Sequence, residues 1–158
     1  MEVKLKSSEL DQFDIRILNE LSNNARITVT ELSERIGLSK TPCHARLRSL
    51  EENGYILGYR ALLDPVKLGL DHIAFVEVKL SDTREQALKA FNQAVLNQPE
   101  IEQCHMIAGG FDYLLKVRTK NIFDYRKLLG DTLSSMPHVA QTSTYVAMEA
   151  VKDVAIFE

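Results

Sequence analysis

TVTELSERIGLSKTPCHARLRSL, Thr28 to Leu50, decides how the first part of this chain folds. Thr28-Val29-Thr30-Glu31 reads as a capping box, in which the Thr28 hydroxyl and the Glu31 carboxylate satisfy each other's free amides at a helix start. Leu32 and Ile36 give that short helix one apolar stripe, and Gly37 ends it. Ser39 then caps a further helix, where Pro42 is tolerated because the first turn's amides have no helical partner. Asn53-Gly54 stops it. At about 100° per residue, Cys43, Leu47 and Leu50 fall on one buried stripe, while Thr41, His44, Ala45, Arg48 and Ser49 spread over the solvent side. Ser39 to Leu50 also holds Lys40, Arg46 and Arg48 with no acid among them.

Upstream, Leu10, Phe13, Ile17, Leu18 and Leu21 recur at helical spacing, with Ser8 or Asp11 as cap and Asp14, Arg16 and Asn19 mostly turned from the apolar face. Three helices with a tight Gly37-Leu38-Ser39 turn and a basic third helix have helix-turn-helix grammar, which makes double-stranded DNA the expected partner. Ser39, Lys40, Thr41, His44, Ala45, Arg46, Arg48 and Ser49 are the candidate contacts. Arg48 has the geometry for guanine O6 and N7, Thr41 and His44 for bases or phosphates, and Ala45 for close approach to a thymine methyl. Arg46 lies beside the core stripe and is either a phosphate contact or a structural ion pair.

Charge supports a division of labour. The chain has 158 residues and a net charge of −3, but residues 1–60 balance nine basic against nine acidic side chains, whereas from residue 61 onward thirteen acids outnumber ten bases. Hydrophobic residues at 45% and charged residues at 26% are those of a chain that buries a core. No run is apolar enough to span a membrane, and MEVKLKSSEL lacks the apolar region of a secretory signal, so a cytoplasmic protein with no membrane partner is expected. Cys43 and Cys104 follow no metal spacing and read as reduced thiols.

The pattern changes at Leu63-Asp64-Pro65-Val66-Lys67-Leu68-Gly69. Tyr55 to Leu63 reads as a short strand or wing before it. Beyond it the pattern predicts a strand from His72 to Leu80, a helix from Arg84 to Asn97, strands Ile101 to Ala108 and Asp112 to Thr119, a helix from Ile122 to Ser135, and a strand from Val139 to Met148. This βαββαβ order is the ferredoxin-like plan, an antiparallel sheet with both helices on one face. The expected fold class is therefore α+β: a three-helix, winged helix-turn-helix domain over 1–60, a linker over 61–70, and a ferredoxin-like domain over 71–158. The uncovered sheet face predicts a homo-oligomer, with a two-fold dimer as minimum unit.

Catalysis is not expected. His44, His72, His105 and Tyr145 form no constellation, Cys104 and His105 should face opposite sides of a strand, and no HExxH, CxxC or glycine-rich phosphate loop occurs, so neither a metal nor a cofactor is predicted.

Leu10-Asp11-Gln12-Phe13-Asp14, Ile17-Leu18-Asn19-Glu20-Leu21, Ala25-Arg26-Ile27, Glu31-Leu32-Ser33, Gly37-Leu38-Ser39, Thr41-Pro42-Cys43, Arg46-Leu47 and Leu50-Glu51 resemble the Lrp/AsnC, or feast/famine, transcription regulators. Gly109 to Leu115, Tyr125 to Gly130 and Thr144 to Glu149 resemble the effector-sensing domain of that family, its leucine-responsive branch in particular. The resemblance implies dimers that ring into tetramers, octamers or larger assemblies, and an amino acid bound between dimers near the turn joining the second and third strands of the sheet. It implies Ile107, Gly109, Gly110, Asp112, Ile122, Thr144, Tyr145, Val146 and Ala147 as effector-binding residues. In that setting the turn amides meet a ligand carboxylate, Asp112 meets its ammonium, and Ile107, Ile122, Val146 and Ala147 offer an apolar wall to leucine, methionine or another aliphatic side chain. On residue chemistry alone, Gly109-Gly110 is equally a plain hairpin turn, and Asp112 equally balances a Lys or Arg across an interface.

Overall fold

In the computed structural model, which describes residues 10–153, the capping box forms: Thr28 Oγ1 accepts from the Glu31 amide at 3.2 Å, and Glu31 Oε2 accepts from the Thr28 amide at 3.2 Å. Helix α2 (Val29–Ile36) ends on Gly37 at φ 77, a conformation that costs glycine little. Helix α1 (Gln12–Asn23) is capped by Asp11, whose carboxylate accepts from the amides of Phe13 and Asp14; Ser8, the other candidate cap, lies outside the described residues. Ser39 takes the cap position of helix α3 (Lys40–Glu52), but its hydroxyl makes no capping bond. Pro42, the third residue of α3, has no amide hydrogen to give it. Ile17, Leu32, Ile36, Cys43 and Leu50 close the core of this unit.

Two expectations fail here. No strand forms between Tyr55 and Asp71. Gly58 at φ 150 breaks the run, and Tyr59 turns its hydroxyl to Glu51 Oε1 at 2.8 Å, so no neighbouring strand of the same chain satisfies the segment. Burial, with the Glu51 carboxylate beside it, pushes the Tyr59 phenol up to about 12. The second difference is Asp14, which is not turned away: its side chain is 13% exposed and faces α3.

Residues through Leu62 belong to one compact unit and Leu63–Val151 form another. The second unit starts with a turn in which the Asp64 carboxylate accepts from the amides of Val66 and Lys67. Its elements are β1 (His72–Leu80), α4 (Glu85–Leu96), β2 (Ile101–Met106), β3 (Tyr113–Thr119), α5 (Ile122–Asp131), a 3₁₀ turn at Leu133–Ser135, and β4 (Val139–Val146). The four strands are antiparallel in the order β2-β3-β1-β4, which is the ferredoxin-like order and makes the chain α+β as predicted.

Where elements are shorter than predicted, the backbone says why. α5 stops at Asp131 rather than Ser135 because Gly130 weakens its last turn and Thr132 leaves helical geometry at φ −124. β4 stops at Val146 because β1 begins at His72, and the Ala147 amide to the Ile73 carbonyl, at 2.9 Å, is the last link available.

Alternation along the strands separates two faces. Ala74, Val76, Val78 and Leu80 of β1, with Tyr113, Leu115 and Val117 of β3, are sealed under Phe91 and Val95 of α4 and Tyr125 of α5. Phe91 is fully buried, its ring 4.6 Å from that of Tyr113. Phe91→Ala is therefore expected to cost about 3–5 kcal/mol, whereas Phe123→Ala, at a ring that is 78% exposed, should stay within about 0.5 kcal/mol. Urea denaturation of the two variants checks the contrast.

Candidate DNA-binding and effector sites

Helix α3 leaves Ser39, Lys40, Thr41, His44, Ala45, Arg48 and Ser49 exposed, and Thr41, His44, Ala45 and Arg48 fall at i, i+3, i+4 and i+7 on one stripe. Arg48 holds Glu52 at 2.7 Å across an exposed i,i+4 pair, which costs little to exchange for another anion. The amide of Asn53 covers Ser49, donating to its carbonyl at 2.8 Å and its hydroxyl at 3.1 Å.

Arg46 is placed differently from the other candidate contacts. Its guanidinium bridges Asp11 at 2.7 Å and Asp14 at 2.8 Å and lies 5.5 Å over the Phe13 ring. Of the two alternatives read from sequence, the structure places it in the ion pair, fastening α3 to the start of α1. The Asp14 amide holds the Asp11 carboxyl below its ordinary range, and Arg46 adds to that effect. Sequence alone carried part of this signal: Asp11 as a cap and an ion pair as one alternative for Arg46 were legible, but the inward turn of Asp14 and its pairing 32 residues away were not.

The candidate effector residues fall into two groups. Gly109 and Gly110 lie in the turn between β2 and β3, which closes through the Ile107 amide on the Asp112 carbonyl at 2.8 Å. Asp112 Oδ2 accepts from the Leu80 amide at 2.7 Å, so this carboxylate fastens the end of β1. The other group surrounds the opposite end of β1. Thr144 turns toward the helices, its hydroxyl 2.6 Å from that of Tyr125. Tyr145 lies on the open face and donates to Glu77 Oε2 at 3.3 Å. Val146 and Ile122 are half exposed, at 48% and 47%. The Asp112 amide bonds the Val78 carbonyl, whereas Thr144, Tyr145 and Val146 lie opposite Val76, Phe75 and Ala74 and the Ala147 amide bonds the Ile73 carbonyl, so the second group lies across β1 from the first and is displaced along it by about 7 to 17 Å.

The open face carries a charge cluster that sequence reading missed. Glu102 lies against Lys116 at 3.0 Å and against Arg118, and Arg118 also donates to the Leu70 carbonyl at 2.9 Å. Burial pushes the Glu102 carboxyl up, but bonds from Arg118 and Lys116 outweigh it and hold the group below its usual range. A β-bulge between Ile101 and Gln103 sets Glu102 there, and no local pattern announces it. Among the described residues no group of three or more His, Cys, Asp or Glu side chains is arranged to hold a metal ion, and no helix is long and apolar enough to cross a membrane.

Comparison with known proteins agrees with both halves. Residues 10–56 match a winged helix-turn-helix DNA-binding model, and residues 73–155 match the Lrp/AsnC ligand binding domain. The chain is 60% identical to a proline dehydrogenase transcriptional activator of Rhizobium radiobacter, covering 96% of this chain and 97% of the relative. It is 48% identical to the leucine-responsive regulatory protein of Escherichia coli, covering 94% and 91%. A transcriptional regulator of Neisseria meningitidis, solved as a complex with L-methionine, superimposes with a TM-score of 0.86 at 34% identity, covering 94% of this chain and 96% of that one.

Removing Arg46 leaves Asp14 largely buried without its partner, so Arg46→Gln is expected to destabilise the N-terminal unit by about 1–3 kcal/mol. Arg48→Gln, which breaks only an exposed pair, should cost about 0.5 kcal/mol or less. Chemical denaturation followed by hydrogen exchange in the two units checks this; equal losses would remove the fastening role of Arg46.

Proposed function

The chain belongs to the Lrp/AsnC family of DNA-binding transcription regulators, and on that footing we propose that it controls a proline dehydrogenase gene, binding its operator as a two-fold homo-oligomer and responding to a small apolar amino acid, L-proline first among them. The observation that carries this reading is the 60% identity, over nearly the whole of both chains, with a relative named as an activator of that gene. Its relatives are named as regulators and not as enzymes, in keeping with the absence of a catalytic constellation in the sequence. A regulator of a catabolic gene that senses the enzyme's own substrate closes a simple loop, and proline belongs to the aliphatic class for which the sequence offers an apolar wall.

In this reading residues 1–60 bind DNA, 61–70 connect, and 71–158 sense and assemble, in the cytoplasm. Lys40, Thr41, His44, Ala45, Arg48 and Ser49 meet the major groove and its phosphates, with Ser39 at the helix start and Arg46 positioning α3 from behind. Paired recognition helices need a symmetric partner, so the operator is pseudo-palindromic and the dimer is the minimum unit, tetramers or octamers being built from it. The placement of the two effector groups on opposite sides of β1 supports a pocket assembled from two subunits, the Ile107 to Asp112 turn of one meeting Ile122 and Thr144 to Ala147 of the other. Asp112 keeps one carboxylate oxygen for a ligand ammonium while the other holds Leu80.

DNA affinity of the full chain, followed by fluorescence anisotropy on promoter duplexes, should fall steeply with salt, since neutralised phosphates release counterions. Arg48→Ala should relax base preference at one or two positions, costing about 1–3 kcal/mol there; uniform weakening on all sequences would instead make it a phosphate contact.

The effector arm is a thermal-stability panel over the twenty amino acids, in which a ligand of the native state raises the melting temperature. L-proline is expected to lead, followed by leucine and methionine. Asp112→Asn, which keeps an acceptor for the Leu80 amide, should abolish the shift and leave effector-free DNA binding intact. A response confined to lysine or glutamate would sink this assignment.

A further inference from the structure

Helix α3 ends on two acids, Glu51 and Glu52. Glu51 is accounted for within the N-terminal unit, since its Oε1 accepts from the Tyr59 hydroxyl at 2.8 Å. Glu52 follows Arg48 by four residues and lies about three helical turns beyond Thr41, so it shares the exposed stripe of Thr41, His44, Ala45 and Arg48 that meets the major groove in the proposed function. A carboxylate on that stripe faces the negative charge of a duplex and opposes binding. Its presence there calls for a reason.

Helix stability supplies none. A negative side chain in the last turn opposes the macrodipole, whose C-terminal end is itself negative. The pair also runs with the cation N-terminal to the acid, the less favourable order at this spacing. What the geometry supplies is orientation. Arg48 Nε donates to Glu52 Oε1 at 2.7 Å, and Arg48 makes no other bond among the described residues. A guanidinium carries its N–H donors in a planar fork, and this bond uses the Nε hydrogen alone, leaving those on Nη1 and Nη2 unspent. The side chain is 70% exposed, so this outer edge is open to the O6 and N7 acceptors of a guanine. Exposed pairs give way readily, so Glu52 acts through the competition between partners for Arg48. A guanine takes the Nη1–Nη2 edge with the Glu52 bond intact. A phosphate that takes Arg48 either displaces Glu52 or sits beside its carboxylate, and like charges at that range repel.

We infer that Glu52 is a positioning residue for base readout: by holding Arg48 through Nε it presents the Nη1–Nη2 edge to guanine and disfavours the phosphate backbone as a partner of the same arginine. The inference rests on the reading of α3 as the groove helix and of Arg48 as its guanine contact. Glu52 itself touches no base. It lowers affinity for DNA in general and raises the share of binding that depends on sequence.

Fluorescence anisotropy of the full chain tests this on a duplex selected from a random pool, on the same duplex with single guanines replaced by 7-deazaguanine, which lacks the N7 acceptor, and on a scrambled duplex. Arg48→Ala identifies the guanine that Arg48 reads, as the position where the replacement ceases to matter. There the wild type is expected to lose about 10-fold in affinity. Glu52→Ala should cut that loss to about 3-fold or less, tighten binding to the scrambled duplex, and steepen the slope of log affinity against log salt by about one, the mark of one added phosphate contact. Glu52→Gln, which keeps an oxygen acceptor for Nε without the charge, should fall between. Melting temperatures should match the wild type, because the pair is exposed on both sides. A Glu52→Ala variant that keeps the wild-type guanine loss and salt slope, or that weakens every duplex alike, overturns the positioning role and leaves the proposed function standing. If Arg48→Ala itself weakens every duplex alike, Arg48 is a phosphate contact and the inference falls, while sequence-specific binding by the chain is untouched. A wild type that binds selected and scrambled duplexes equally overturns the groove reading as well.

Discussion

β1 is hydrogen-bonded on both sides, to β3 and to β4, and the alternation of its side chains therefore governs what either face of the sheet can do. Ala74, Val76, Val78 and Leu80 are sealed under the helices, which commits Phe75, Glu77 and Lys79 to the other side. A slip of one residue would bury Glu77 and Lys79 and expose four core side chains. Burying a carboxylate and an ammonium without partners costs several kcal/mol each, so this register is strongly specified. The Asp112 carboxylate on the Leu80 amide secures the end of the strand where the register is most easily lost.

The N-terminal unit solves a different sorting problem with two arginines. Arg46 and Arg48 are two residues apart on α3, about 200° around the helix, so one cannot share the environment of the other. Arg46 turns inward to Asp11 and Asp14, and those two acids are thereby matched within the unit. Arg48 stays outside on a pair that an incoming phosphate or base can replace. A chain of net charge −3 can in this way present a basic helix, because the acids nearest it are engaged.

What was legible in the sequence is what local periodicity and capping chemistry encode. The Thr28–Glu31 box, Gly37, the burial of Cys43 and Leu50 and the order of elements after His72 all follow from residues within a few positions of one another. Three features were not legible for a common reason. Tyr55 to Leu63 has strand composition but no neighbouring strand in its own chain, and strand propensity without a partner makes no strand. The Arg46 bridge and the Glu102 cluster join residues distant in sequence. Asp112 was read as a ligand group from family resemblance, and its bond to Leu80 became visible only when the pairing of β1 and β3 was known. Thr144 likewise reads as one of a run of site residues, but strand alternation sends its hydroxyl to Tyr125 under the helices.

Selectivity among aliphatic effectors is a matter of the head group as much as of the apolar wall. One methylene more or less in a hydrophobic pocket separates ligands by only about 1–3 kcal/mol, so the proposed wall of Ile107, Ile122, Val146 and Ala147 would discriminate weakly between leucine and methionine. Proline differs from both in its secondary ammonium, which offers two N–H donors where the others offer three. Asp112 accepts the Leu80 amide through Oδ2, and its Oδ1 remains available to other donors. A buried donor left without an acceptor costs about 1–3 kcal/mol, as much as the methylene term, so the number of acceptors facing the head group weighs as heavily as the wall.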